Sequence, residues 1–257
     1  MRIDSTAMVS CDARLATGVT AGPYSVIEAD TEVGSGSEIR AHAVIKQYTR
    51  LGPENVIFEG AIIGGEPQDL GFRGVRSYVR TGSRNRIREG ATIHRGTMED
   101  SETVIGSDCY IMVCAHVAHN CCLGDKVILA NNVALAGHVE IGDRAFLSGG
   151  VVVHQFCRVG RLAMIGGNSK IVQDCLPFVI TDGMPGRARG LNLVGLRRAG
   201  VTTAEIQTLK TAYKILLRSG LKLEPALDEL SGLGSQLVDH LVEFVRGSKR
   251  GFCHSRD

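Results

Sequence analysis

The sequence predicts a mainly β protein, with a β-helix of hexapeptide repeats over residues 1–190 and a small α-helical domain over 191–257. Three observations carry that expectation. The first is a six-residue apolar period: positions 105, 111, 117 and every sixth one onward to 171 are Ile, Leu or Val, twelve in succession. A period of six fits neither an α-helix, which needs about 3.6, nor an alternating strand of period two. It fits a coil of short strands with sharp corners. The second is a pair of segments, EPQDLGFRGVRSY (66–78) and TMEDSE (97–102), that break the period and then rejoin it. The third is a change to helical spacing in the last quarter of the chain.

Extended backwards, the frame takes in positions 3, 9, 15, 27, 33, 39, 45, 51, 57 and 63, all Ile, Val or Leu. From 3 to 171 there are 29 such positions, and 25 carry Ile, Leu or Val. The exceptions are Ala21, Asp69, Thr81 and Glu99, of which the last three read as places where the chain has left the coil. Repeats of this kind bury their apolar row only by stacking one turn on the next. Three hexads make an 18-residue triangular turn, and about nine turns at ~4.8 Å give a prism on the order of 40 Å tall. Small residues four places after the inward one, such as Ala43, Ala61, Ala115 and Ala163, fit corners with little room. Gly, Asn and Asp are expected at the bends, where they take left-handed backbone at little cost. Loops that leave such a scaffold are where function concentrates.

After Ile171 the frame ends in DCLPFVITDGMPGRARG, whose Pro and Gly residues mark a linker. Thr202 and Glu205 have capping-box spacing. Ile206, Leu209, Ala212, Tyr213, Leu216 and Leu217 then form one apolar face that ends at Gly220. Further helices are expected over 224–231 and 235–246. Lys210, Lys214, Arg218 and Lys222 fall near one stripe, which reads either as a solvated face or as a docking surface for an acidic partner.

Composition narrows the function. A net charge of +2 gives no support for a nucleic-acid partner. The eight cysteines include no C-x-x-C pair, and several fall at the small corner position, so they read as buried, reduced thiols. No apolar run approaches the roughly 20 residues of a membrane span, and the N-terminus lacks an apolar leader. These features predict a soluble, cytoplasmic protein.

Five residues inside the coil look chemical: His116, His119, His138, His154 and Gln155. His119 sits on a coil face, His138 follows one turn plus one residue later, and His154 comes about one turn after that. The residues alone leave three readings open. Histidines can hold a metal, as in a hexapeptide-repeat enzyme of carbonic-anhydrase type. The coil can be a non-catalytic solenoid, although its faces do not repeat monotonously. Or an imidazole can act as general base for acyl transfer.

The motifs NRIREGATIHRGT (85–97), AHVAHN (115–120), LANNVALAGHVEIGD (129–143) and VVVHQFCRVG (151–160) bring in a resemblance. They are similar to those of the hexapeptide-repeat acyltransferases and, more narrowly, of the UDP-N-acetylglucosamine O-acyltransferases of lipid A biosynthesis. The similarity covers nearly the whole chain. It implies a left-handed coil, where the general crossover rule would give a right-handed one. It also implies a homotrimer that moves an (R)-3-hydroxyacyl group from acyl carrier protein to the 3-position of UDP-N-acetylglucosamine. No metal or organic cofactor is implied, because the phosphopantetheine arrives on the carrier.

The resemblance makes His119 the base and the Gly137 N–H the oxyanion donor. Gln68 and Asp69 match contacts to the hydroxyacyl and sugar groups, while His116 and His138 match sugar and donor contacts. His154 and Gln155 match groups near nucleotide and donor, and Asn192 and Arg198 match the nucleotide end. Met164 and Gly167 match the end of the acyl groove, where a glycine leaves room for a long chain. Two residues depart from the family pattern: Asn120 stands where Asp is common, and Gly71 where Lys is common. These departures keep alternatives open, an N-acyltransferase acting on a UDP-3-amino sugar or a specialised paralogue.

Overall fold

A computed structural model describes residues 1–255 of the chain. Three sheets of two- to four-residue parallel strands wind around one axis, one strand per sheet in each turn, and only the five-residue strand that closes the first sheet, Arg187–Leu191, pairs antiparallel. The first sheet has eleven strands, running from Arg2–Ile3 down to Met164–Ile165 and closing with Val179–Asp182 and Arg187–Leu191. The second has nine, from Met8–Val9 to Lys170–Ile171, and the third has eight, from Arg14–Leu15 to Arg158–Val159.

Register explains why the apolar frame survives its interruptions. Most partners are 18 residues apart, as in Arg2 with Thr20 or His116 with Ala134. Across the first excursion Val56 pairs with Arg86, and across the second Tyr78 pairs with Glu102. The added lengths are two hexads and one hexad, so every inward position keeps its phase. Thr81 is a correction to the sequence reading. It lies inside the coil, 5% exposed, paired with Leu51 and Ile105, and its hydroxyl donates to Gly82 O.

The interior is the row read from the sequence: Ile27, Ile39, Ile57, Ile111, Leu129 and Ile165 are all at most 1% exposed. Cys109, Cys121, Cys157 and Cys175 fill corner positions as buried free thiols, while Cys11, Cys114 and Cys122 are exposed. Two buried asparagines bridge turns at one corner. Asn55 Nδ2 donates to Gly82 O at 2.9 Å, and Asn85 Nδ2 to Gly106 O at 2.9 Å.

The corners differ from expectation in composition. From Gly18 to Gly60, and again from Asp108 to Asn168, every sixth residue has φ between 53° and 79°. Occupants include Tyr24, Glu54, Lys126, Arg144, Phe156 and Leu162 as well as Gly, Asn and Asp. Left-handed backbone costs an L-residue roughly 1–2 kcal/mol. At most of these corners the stack offsets that cost, because the corner N–H donates to a carbonyl of the preceding turn, as from Lys126 to Ser107 and from His138 to His119; Tyr24 and Asn120 donate to the hydroxyls of Thr6 and Thr103 instead.

Beyond Ile171 the chain packs a second core. Helix α1 (Leu193–Arg198) precedes α2 (Thr203–Arg218), α3 (Leu223–Ser231) and α4 (Gln236–Arg246). The Thr202–Glu205 capping box forms as expected, whereas α1 had no sequence expectation. The tail then returns to the coil. Cys253 N donates to Asp174 O at 2.8 Å and its side chain joins the coil core. Asp174, 1% exposed, accepts from Ser248 Oγ at 2.8 Å and faces Arg158 at 3.3 Å. Among the described residues no helix is long and apolar enough to cross a membrane.

Candidate active site

His119 lies at the corner between the second and third sheets, where the coil register places Gly137 and then Gln155 one and two turns on. The histidines therefore do not form one column. His119 has a glycine as its neighbour in the next turn, and His138 stands diagonally beside it. The fit is close: a Cβ at residue 137 would lie 2.3 Å from His119 Cε1 and 2.6 Å from Nε2. With the imidazole in this position, residue 137 has no room for a side chain. The Gly137 N–H has no hydrogen-bond acceptor among the described residues.

The imidazole is held on both sides. His119 Nδ1 is 3.0 Å from Asn120 Oδ1, and Nε2 is 3.8 Å from Asp69 Oδ2. His138 meets the ring edge-on at a centroid distance of 5.3 Å and is itself stacked on Phe156 at 4.7 Å. Burial pushes the His138 imidazole below its usual range; His119 adds to the effect and Asp69 opposes it. His116, one strand back, shares a 2.7 Å hydrogen bond between Nδ1 and Thr92 Oγ1. Burial, then the nearby His119, lowers its pKa too. Behind it lies His94, 9% exposed, edge-on to His116 at a centroid distance of 4.8 Å and with its Nδ1 buried without a partner. Burial and the two neighbouring histidines push His94 down to about 4.

Gln68, His116, His119, Gly137 and Gln155 line one open groove of about 390 Å³ on the second sheet. Asp69 reaches it from the first excursion, and its Oδ1 accepts from Gly71 N at 2.7 Å. His154 stands exposed beyond the groove, with Nδ1 3.1 Å from Gln155 O. The remaining sequence candidates lie elsewhere on the single chain. Met164 is on the first sheet, and Gly167 is at the corner between first and second sheets. Arg198 is exposed at the end of α1. Asn192 is 9% exposed with both ends of its amide committed: Oδ1 accepts from Gly195 N at 3.0 Å, and Nδ2 donates to Leu162 O at 2.9 Å. It caps α1.

The chain is similar over most of its length to known proteins. An acyl-(acyl carrier protein):UDP-N-acetylglucosamine O-acyltransferase of Gloeothece citriformis is 46% identical, over 80% of this chain and 75% of its own. The Paraburkholderia phymatum protein of the same name is 42% identical over 97% and 98%. This chain belongs to the UDP-N-acetylglucosamine O-acyltransferase family. Residues 174–253 match the family model described as UDP N-acetylglucosamine O-acyltransferase, domain 2. The solved Moraxella catarrhalis UDP-N-acetylglucosamine O-acyltransferase superimposes with a TM-score of 0.96 at 40% identity, covering 99% of this chain and 100% of that one. The coil is thus the left-handed parallel β-helix of the family's solved structures.

Within this family frame, sequence reasoning passed over three features of the site. His94 enters the sequence motifs only inside NRIREGATIHRGT, and Phe156 only inside VVVHQFCRVG. The partners of Asn120 went unseen: Thr97 N and Oγ1 both donate to its Oδ1, at 3.1 and 3.0 Å. Their signal was the position of TIHRGT at the root of the second excursion.

Proposed function

We propose that the chain transfers an (R)-3-hydroxyacyl group from acyl carrier protein to the 3-hydroxyl of UDP-N-acetylglucosamine, the first step of lipid A biosynthesis, in the cytoplasm of a Gram-negative-type bacterium. The observation that carries the chemistry is the His119 environment, with Nδ1 engaged by Asn120 Oδ1 and Nε2 facing the groove side with Asp69. In this reading Nε2 takes the hydroxyl proton as the sugar oxygen attacks the thioester carbonyl. The tetrahedral oxyanion accepts from the Gly137 N–H, and one such donor is worth about 3 kcal/mol of barrier. Collapse breaks the carbon–sulfur bond, and the imidazolium returns its proton to the departing pantetheine thiolate. The reading uses no metal or resident cofactor, since the phosphopantetheine comes with the carrier.

The same proposal makes the working unit a homotrimer. A single convex prism offers only an open groove, while a ligand site of this kind is ordinarily a cleft. The outward rows of the first two sheets are apolar near the groove, with Ile128, Phe146 and Met164 on one and Ala134 and Val152 on the other. The third sheet faces outward with Arg14, Glu32, Arg50, Glu140 and Arg158. Leu70, fully exposed, and Met98, 70% exposed, stand at the tips of the two excursions, apolar surface that a neighbouring copy would cover. Across such an interface the Met164 and Gly167 region of one copy completes the acyl end of the groove on the next, and Arg198 supplies a guanidinium for the nucleotide phosphates.

Products formed from UDP-N-acetylglucosamine and its 3-amino analogue, each offered with a panel of hydroxyacyl carriers, are read by mass spectrometry. An ester at the 3-oxygen is expected. Amide formation alone would move the chain to the N-acyltransferase reading that Asn120 left open. His119→Ala is expected to lower the rate about 10²–10⁴-fold while the coil stays folded. A variant that kept more than about a tenth of the rate would remove His119 from the role of base.

A further inference from the structure

From Asp108 to Asn168 the corner residues share one habit, and Asn120 breaks it. At the other corners the left-handed residue's N–H donates to a carbonyl of the turn before, as from Asn132 to Val113 at 3.0 Å. Above Asn120 the Gly96–Ser101 excursion carries that carbonyl away. The Asn120 N–H instead donates to Thr103 Oγ1 at 2.7 Å, and Thr103 is fully buried.

The Asn120 side chain is fixed by the excursion as well. Its Oδ1 receives the Thr97 N–H at 3.1 Å and the Thr97 hydroxyl at 3.0 Å, and meets His119 Nδ1 at 3.0 Å. A backbone N–H can only donate, so the atom that faces it is the amide oxygen. Turning the amide over would set its NH₂ against that N–H, donor against donor. A ring nitrogen that meets the same oxygen must then carry its own proton. That leaves the lone pair of a neutral imidazole on Nε2. The excursion is itself constrained, because a Cβ at residue 96 would lie 2.7 Å from the Ser101 carbonyl carbon and oxygen.

We infer that Thr97 is a positioning residue: by donating its N–H and its hydroxyl to Asn120 Oδ1 it fixes His119 as the Nδ1–H tautomer and keeps the Nε2 lone pair available to the acceptor. The inference deepens the acyl-transfer reading above and rests on His119 being its base. It also gives the second excursion a purpose. The excursion leaves the corner N–H to the Thr103 hydroxyl and brings two donors to the Asn120 side chain, which a coil of unbroken hexads does not supply at that corner.

The test uses the full-length protein with ¹⁵N-labelled histidine, the His119 signal being identified by its loss in His119→Ala. Wild type is expected to show neutral His119 protonated on Nδ1; protonation on Nε2 would overturn the inference whatever the variants do. Thr97→Val deletes the hydroxyl at nearly constant volume. It is expected to lower kcat roughly fivefold to tenfold, leave KM for the sugar nucleotide unchanged and move the His119 signal toward a tautomer mixture. Thr97→Ser is expected to restore both readouts. An unchanged kcat in Thr97→Val, or a reduced kcat with an unmoved His119 signal, overturns the inference. Wild type that is inactive with the hydroxyl acceptor but protonated on Nδ1 would sink the O-acyltransfer reading and leave the tautomer assignment standing.

Discussion

The side chain at position 137 decides whether His119 can occupy its place. Since a Cβ there would overlap the imidazole at 2.3 Å, Gly137→Ala must displace the ring or the strand corner. Overpacking a tight site costs about 1–3 kcal/mol, and here the ring can swing toward the open groove. The expected outcome is a folded protein with transfer reduced at least about a hundredfold; wild-type turnover would show that the ring position is immaterial. His94 gives a second residue-scale prediction. Its folded pKa of about 4 lies below the ordinary 6.5, so between those values the unfolded chain binds the proton and the folded one does not. Stability should therefore be fully present above 6.5 and fall as pH drops toward 4, with His116 and His138, shifted in the same direction, adding to the loss. Urea midpoints across pH 4–7 should show this slope, and His94→Gln should flatten it. Parallel curves would mean that His94 is not the group titrating.

At the level of elements, the coil is stiff where it repeats and chemical where it departs from repetition. Both excursions emerge near the corner that carries His119, one bringing Asp69 and the other Thr97. The corner at Gly167 is open: a Cβ there would meet nothing nearer than Gly149 O at 3.5 Å, so a larger side chain can be added without disturbing the coil. Gly167→Met is expected to shorten the preferred acyl group while leaving thermal stability within about 1 kcal/mol. A competition assay over carriers of graded chain length reads this directly. An unchanged profile would place the end of the acyl groove elsewhere.

On the scale of the whole molecule, charge is distributed by region. Lys210, Lys214 and Arg218, spaced by four residues on α2, are all exposed, and Lys222 follows at the start of α3. If this stripe receives acyl carrier protein, an acidic partner, Lys214→Glu should raise KM for the acyl carrier severalfold at low salt, with kcat kept. The difference should shrink as ionic strength approaches 0.15 M, where charges farther apart than roughly 8 Å are screened. A KM that responds equally at all salt concentrations would point to a local structural effect instead of steering.

The amino-acid order by itself determined the coil, its phase and its small corners, because a row of Ile, Leu and Val every sixth residue has only one way to be buried throughout. It also determined the capping box at Thr202, which depends on residue types at short spacing, and set apart the histidines at 116, 119 and 138, while Gln68, Asp69 and Gly137 came in through the family resemblance. Other features were decided only by the fold. Left-handed backbone at Tyr24, Lys126 or Phe156 is invisible in residue preference, because the bond that stabilises it comes from the preceding turn. Asn192 matched a ligand contact in sequence, yet in three dimensions its amide is taken up by the α1 cap and Leu162 O. In sequence Asn120 is only a departure from the Asp common in the family. Only the path of the second excursion shows the oxygen of that amide held by Thr97, 23 residues earlier in the chain.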